Sequence, residues 1–190
     1  MTPQHDPLRE YRSKRNLRRS GEPGGRRRAR GDQSQFVVQH HRASTDHYDF
    51  RLEVDGVLKS WALPKGPSTN PRDKRMARPT EDHPLEYADF EGVIPEGEYG
   101  AGVVQVWDAG PYRNGSDVEM DEALRRGHVS FELDGEKLRG GYALTRIREG
   151  RDETWLLVKR SDRHANKQLR GTTKSAVSGR TLRQIEAESA

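Results

Sequence analysis

The sequence predicts a mainly β fold, a compact antiparallel β-barrel with one or two short helices, and three observations carry that prediction. About seven or eight short runs rich in β-branched and aromatic residues are separated by breaks containing Gly, Pro or Asp, the spacing of an antiparallel barrel or sandwich. Asp55-Gly56 and Asp134-Gly135 each stand between two such runs, and Asp-Gly supplies the positive φ that a tight hairpin turn needs. Of the 190 residues, 31% are hydrophobic and 34% charged, so one modest core is the most the chain can build. The division that follows is a basic, partly flexible arm at 1–31, a β-barrel domain at 32–160 and a basic, polar tail at 161–190 with a short helix.

Taken in order, residues 1–31 have a formal charge of +7. Leu8, Tyr11 and Leu17 are too sparse for a convincing helix face, although a short helix through 7–19 is compatible with them. The segment, with Arg26, Arg27, Arg28 and Arg30 near its end, reads as a solvated basic tail. Its functional reading is an arm that follows a phosphate backbone without reading sequence. Phe36 to Gln39 is strand-like and leads to His40 and His41. Beyond them, His47, Asp49 and Arg51 sit two apart and share one face of a strand, while Tyr48, Phe50 and Leu52 share the other. A two-residue turn at Asp55-Gly56 pairs Phe50 with Trp61 and Tyr48 with Leu63, an apolar face of large residues. It pairs Asp49 with Ala62 and Arg51 with Ser60, leaving space above the charges for a metal ion or a small anion.

Residues 64–75 are a basic loop containing three prolines, with Lys65 and Arg75 among its cations. Residues 76–90 contain Glu81, Asp82, His83 and Tyr87, and Pro84 biases His83 toward an extended conformation. Gly-Glu-Tyr-Gly-Ala-Gly at 97–102 precedes a strand (Val103 to Trp107) and not a helix, so it reads as a turn or bulge and not as a dinucleotide loop. Residues 117–126 predict a helix, with Ser116 or Asp117 as N-cap and Gly127 after its end. A second hairpin joins 128–133 to 137–139 around Asp134-Gly135; Tyr142 to Ile147 and Trp155 to Val158 are further strands, and Thr181 to Ala187 a short terminal helix. The acid-and-histidine face is expected to line the concave side of the barrel.

Charge excludes a uniformly basic nucleic-acid-binding domain: 32–160 carries −6 between ends of +7 and +3, the balance of an acidic, metal-using core with basic arms. The absence of cysteine rules out disulfides and thiolate metal sites and fits a cytoplasmic protein. No apolar run approaches the ~18 residues that a membrane span needs, and the N-terminus lacks the apolar region of a secretory signal.

His47 and Asp49, with His40 or His41, form a mixed nitrogen and oxygen set that suits Mn, Fe, Co or Zn and leaves positions open for substrate. The same residues also fit a polar strand face whose His and Asp hydrogen-bond to Arg51. Arg51 strengthens the metal reading, because a guanidinium beside a ligating carboxylate can clamp a phosphate that bridges to the metal. Lys65 and Arg75 could add to that clamp. With His83 as general acid the set becomes a phosphoryl-transfer site.

Residues 36–108 resemble the 3′-phosphoesterase domain attached to bacterial ATP-dependent DNA ligase D and its free-standing relatives. The matching motifs are Gln39-His40-His41, His47-Tyr48-Asp49-Phe50-Arg51-Leu52, Asp55 to Ala62, Pro64-Lys65-Gly66-Pro67, Glu81-Asp82-His83-Pro84-Leu85, Tyr87 to Gly92 and Trp107-Asp108. The resemblance implies a β-barrel that trims 3′ ends of DNA or RNA–DNA during non-homologous end joining. In it a terminal ribonucleoside is removed first and the remaining 3′-phosphate second. It implies Mn2+ as the metal, with Zn2+ or Co2+ as substitutes, held by His41, His47 and Asp49. It places Arg51 and His83 on the scissile phosphate, Lys65, Arg75 and Tyr87 in assisting positions, and Arg15 and Glu22 in the step that removes the ribonucleoside. Asn16 stands beside Arg15 where the family often has Asp. A DNA ligase and a Ku-type end-binding protein are the implied partners of a monomer in a prokaryotic cytoplasm, close to the nucleoid. The rival reading is a non-catalytic DNA-end-binding or ligase-recruiting module.

Overall fold

The computed structural model describes residues 5–25, 31–169 and 173–190; the arginine run at 26–30 lies outside them. The strands are β1 (Gln35–Arg42), β2 (Asp46–Val54), β3 (Val57–Leu63), β4 (Arg75–Pro84), β5 (Gly92–Ile94), β6 (Gly102–Asn114), β7 (His128–Asp134), β8 (Arg139–Arg148) and β9 (Thr154–Lys159). Four short helices accompany them among the described residues: α1 (Arg9–Ser13), α2 (Leu17–Ser20), α3 (Met120–Arg126) and α4 (Leu182–Glu188). The strand order is β1-β2-β3-β4-β9-β8-β7-β6, and β6 pairs back onto β1. Eight strands therefore close an antiparallel barrel, and β5 adds to the outside of β6. Closure leaves no free edge between β1 and β6. Among the described residues no helix is long and apolar enough to cross a membrane.

The β2–β3 hairpin has the register that a two-residue Asp55-Gly56 turn imposes, with Phe50 opposite Trp61 and Arg51 opposite Ser60. Both turn residues have positive φ, 50° and 83°. The barrel is filled by one apolar cluster that draws on every one of its strands, including Phe36, Phe50, Leu52, Trp61, Trp107, Phe131, Tyr142 and Leu157. Because side chains alternate across a strand, His47, Asp49 and Arg51 face the outside of the wall. The expected concave location of the acid-and-histidine face is therefore wrong: the inside of the barrel is the core, and the aromatics occupy it.

Three further expectations need correction. The N-terminal arm is not a solvated tail over residues 5–25. Tyr11 is fully buried and joins Val37, Leu58, Tyr87 and Val106 in a second apolar cluster. The second hairpin is present, β7 pairing with β8, but β8 begins at Arg139 and not at 137, because the loop winds around the buried carboxylate of Asp108, which accepts the backbone N–H groups of Glu136, Lys137 and Leu138. The helix expected at 117–126 starts at Met120. Its first residues are spent on tying β6 to β7, with Asn114 bonded to Ser116 and Val118 and the Ser116 hydroxyl accepting from Ser130 N–H. The terminal helix is present as Leu182–Glu188, with Thr181 and Gln184 forming a capping box.

Candidate active site

The site is built on the outer face of β1 and β2. Residues two apart on β1 place Gln39 and His41 beside Asp49 and His47, their direct partners on β2. One nitrogen from each of His41 and His47 and one oxygen of Asp49 lie within 4.8 Å of one another. Backbone carbonyls fix both imidazoles. His41 Nε2 lies 2.8 Å from the Gly100 carbonyl and His47 Nδ1 lies 3.0 Å from that of Thr45. A carbonyl only accepts, so these nitrogens carry the protons. His41 Nδ1 and His47 Nε2 face the Asp49 oxygens at 3.6 and 3.4 Å and offer lone pairs when the rings are neutral. Three electron pairs facing one another repel unless a cation lies between them. Two imidazoles oriented by carbonyls, with one carboxylate, offer a donor set that fits a borderline divalent metal.

Burial opposes ionisation of Asp49, but the two histidines and Arg51 outweigh it and hold the carboxyl well below the usual range. The reciprocal effect, led by the contact with Asp49, raises the His47 pKa above its ordinary 6.5. His40 takes no part. Its ring stacks on Tyr48, with centroids 4.2 Å apart, and bonds Asp46 at 2.8 Å.

Arg51 is 3% exposed and held on several sides. Its Nε donates to Gln39 Oε1 at 2.7 Å and its Nη1 to Ser60 Oγ at 2.9 Å, and the guanidinium lies over the Tyr87 ring. Its Nη2 is 3.6 Å from Asp49. Gln39 is itself anchored on the Tyr87 and Phe90 carbonyls. The guanidinium is thus fixed beside the His41–His47–Asp49 group.

His83 reaches this face through a β-bulge. Thr80 pairs with Ser60, but His83, and not Asp82, pairs with Leu58. The extra residue in β4 turns His83 to the outer face. Its Nδ1 donates to the Glu81 carbonyl at 2.8 Å, and its Nε2 accepts from Arg15 at 3.3 Å. Burial first, and then Arg51 and Arg15, push its pKa well below 6.5, so the ring is neutral at pH 7.

The arm closes the opposite side. Arg15 donates to Glu22 Oε1 at 3.0 Å, Glu81 Oε1 at 2.7 Å and the Tyr11 carbonyl at 3.1 Å. Tyr87 OH donates to the same Glu22 oxygen at 2.8 Å, and burial followed by Glu22 raises its pKa well above 10.0. Glu22 Oε2 is buried without a hydrogen-bond partner among the described residues. Strand wall and arm wall enclose a cavity of about 270 Å³. Two guanidiniums (Arg15, Arg51) and three carboxylates (Glu22, Asp49, Glu81) line it, a balance of −1 that a divalent cation would turn to +1.

The family model for the DNA Ligase D 3′-phosphoesterase domain matches residues 39–146. The chain is 47% identical over 196 residues to the multifunctional non-homologous end joining protein LigD of Pseudomonas aeruginosa, a match covering 99% of this chain and 23% of that protein. It is 46% identical over 156 residues to the LigD DNA repair protein of Mycobacterium tuberculosis, covering 81% of this chain and 20% of the relative. The chain belongs to the DNA ligase D 3′-phosphoesterase domain family. It spans about a quarter or less of the length of these relatives.

Of the residues the sequence singled out for this family site, His41, His47, Asp49, Arg51, His83, Tyr87, Arg15 and Glu22 all line the one cavity. Lys65, Arg75 and Asn16 do not. Arg75 pairs with Asp73 and donates to the Lys65 carbonyl, Lys65 is exposed, and Asn16 is exposed at the start of α2. The sequence reading gave no role to Gln39, Glu81 or Tyr99. Gln39 was findable, since it stands two residues before His41 and so shares its face. Glu81 needed the arm's position and Tyr99 needed the loop's.

Proposed function

We propose that this chain is a Mn2+-dependent phosphoesterase acting on 3′ ends of DNA or RNA–DNA. In this reading it removes a terminal ribonucleoside and then the remaining 3′-phosphate, preparing ends for joining. The single observation that carries the reading is the His41–His47–Asp49 group with both imidazole tautomers set for a metal, directly beside the preorganised Arg51 guanidinium. His41, His47 and Asp49 would hold the ion, Mn2+ with Zn2+ or Co2+ as substitutes. When bound it supplies Lewis acidity toward a phosphoryl oxygen and lowers the pKa of a coordinated water.

The remaining roles fall to side chains. Arg51 grips a non-bridging phosphate oxygen with Nη2 and takes up charge in the transition state. His83 Nε2 exchanges its bond with Arg15 for one with the phosphate. Burial and then the two guanidiniums hold His83 neutral; the arriving anion offsets the guanidiniums, so the ring takes up from water the proton it passes to the leaving oxygen. Tyr87 backs Arg51 and orients Glu22. Arg15 and Glu22 serve the ribonucleoside step, and the open Glu22 oxygen suits a hydrogen bond from a terminal sugar hydroxyl. Lys65, Arg75 and Asn16 would act from outside the cavity, on the strand beyond the terminal nucleotide. The end-joining names of the relatives support a DNA ligase as partner, and a Ku-type end-binding protein is proposed beside it. A monomer in a prokaryotic cytoplasm near the nucleoid fits that setting.

Incubation with a 3′-phosphate primer–template and Mn2+ tests this reading. Release of inorganic phosphate leaving a 3′-hydroxyl, lost in His47→Ala, is expected. End binding with a steep salt dependence and no turnover would instead favour a non-catalytic module.

A further inference from the structure

Among the described residues five large apolar side chains are exposed: Met76, Tyr99, Ile147, Leu169 and Val177. Tyr99 is the one aromatic in this set and the one that lines the active-site cavity. Its exposure of 46% is not a matter of a loose loop. Glu98 N–H bonds the Pro95 carbonyl at 3.2 Å and Ala101 N–H bonds that of Glu98 at 3.1 Å. Gly97 and Gly100 supply φ of 87° and 75°, values that other residues rarely adopt. Glu98 pairs with Arg19 of α2 at 3.1 Å, and the Gly100 carbonyl holds His41. The ring is therefore presented from a loop tied both to the arm and to the His41–His47–Asp49 group, which lowers the cost of ordering that loop on binding.

Two cations accompany the ring. The Arg15 guanidinium lies over it at 5.0 Å and the Lys14 ammonium at 5.4 Å from its centroid, and both cations are paired with Glu81. An exposed aromatic beside a polar cavity is the element on which single-strand binding sites stack a base, and the paired cations help fix the ring from the arm side. The cavity, at about 270 Å³, falls at the lower edge of the roughly 300–1,000 Å³ typical of sites that engulf a whole ligand. It takes a terminal phosphoryl group and leaves the attached nucleoside at the mouth, where Tyr99 stands.

We infer that Tyr99 is the stacking platform for the terminal nucleobase of the strand whose 3′-phosphate enters the site. The inference rests on the phosphoesterase reading and adds a substrate-binding residue to it. Stacking needs only a π-face, so the platform accepts all bases and rejects ends that lack one.

Steady-state kinetics with two matched 3′-phosphate duplexes test it, one ending in adenine and the other in a tetrahydrofuran abasic analogue. On the adenine end Tyr99→Ala raises KM by roughly 5- to 150-fold with kcat little changed, and Tyr99→Phe behaves as the wild type. The wild type shows the same rise on the abasic end, and Tyr99→Ala shows no further rise there. Effects of the variant and of the missing base that multiply, or an unchanged KM in Tyr99→Ala, overturn the inference. If the wild type releases no phosphate from either duplex, the phosphoesterase reading fails. Fluorescence anisotropy with the same duplexes then decides the stacking: affinity lost together for base and ring supports it, and independent losses overturn it.

Discussion

The two walls of the cavity hold charged groups by different means. On the strand wall, His41, His47, Asp49 and Arg51 take their places from alternation and from the β1–β2 and β2–β3 registers, and backbone carbonyls set the imidazoles. On the arm wall, α1 and α2 are too short to be stable alone, and a buried network holds them: Arg15 with Glu22 and Glu81, Glu22 with Tyr87, and Tyr11 against His83 and Tyr87. A ladder gives fixed geometry, as a metal centre requires. A docked arm gives a surface that can loosen as a unit while the His41–His47–Asp49 group keeps its shape.

The largest test of that difference is Arg15→Ala. It leaves Glu22 and Glu81 buried without their common cation, a loss of about 3–5 kcal/mol. Hydrogen exchange is expected to show α1 and α2 amides unprotected while β1–β3 keep their protection. Equal loss in both would mean the walls are one cooperative unit.

A second test is pH. His47 must lose its proton to ligate, and its pKa is raised in the metal-free protein. Metal affinity is therefore full above that raised value and falls about tenfold per pH unit below it. Calorimetric titration at several pH values measures this, and a pH-independent affinity would contradict ligation by His47. A smaller effect is expected for Tyr11→Phe, which removes the 2.6 Å bond to the Pro23 carbonyl while keeping the ring. Arm docking should weaken by about 1 kcal/mol, with no change in metal binding. Least affected are Lys65→Ala and Arg75→Ala, whose metal affinity and stability should stay within about 0.5 kcal/mol of wild type. A large loss of metal affinity in either would contradict their place outside the cavity.

The strand wall was largely legible in the sequence. Asp55-Gly56 fixes the turn, the turn fixes the register, and alternation then puts Asp49 and Arg51 opposite Ala62 and Ser60. Spacing could not choose between His40 and His41, because the choice depends on how β1 pairs with β2; the motif match chose His41, the one the structure places in the group. Nor could alternation say which face closes inward. That is decided by Phe50, Leu52 and Trp61 meeting aromatics from β6, β7 and β9 that are far away in the chain. His83 depended on a bulge in β4 that leaves no local signature. The arm was misread because Leu8, Tyr11 and Leu17 form only a narrow apolar stripe. The stripe suffices because the buried charges of Arg15, Glu22 and Glu81, which composition counts as solvated, complete the interface.

The central claim is that His41, His47 and Asp49 bind one catalytic metal ion. The most direct test titrates chelator-stripped protein with Mn2+ and follows the loss of free-ion electron paramagnetic resonance signal. One ion bound per wild-type chain, and none at the same concentrations in Asp49→Ala of unchanged circular dichroism, is the result expected. Undiminished binding in Asp49→Ala would contradict it.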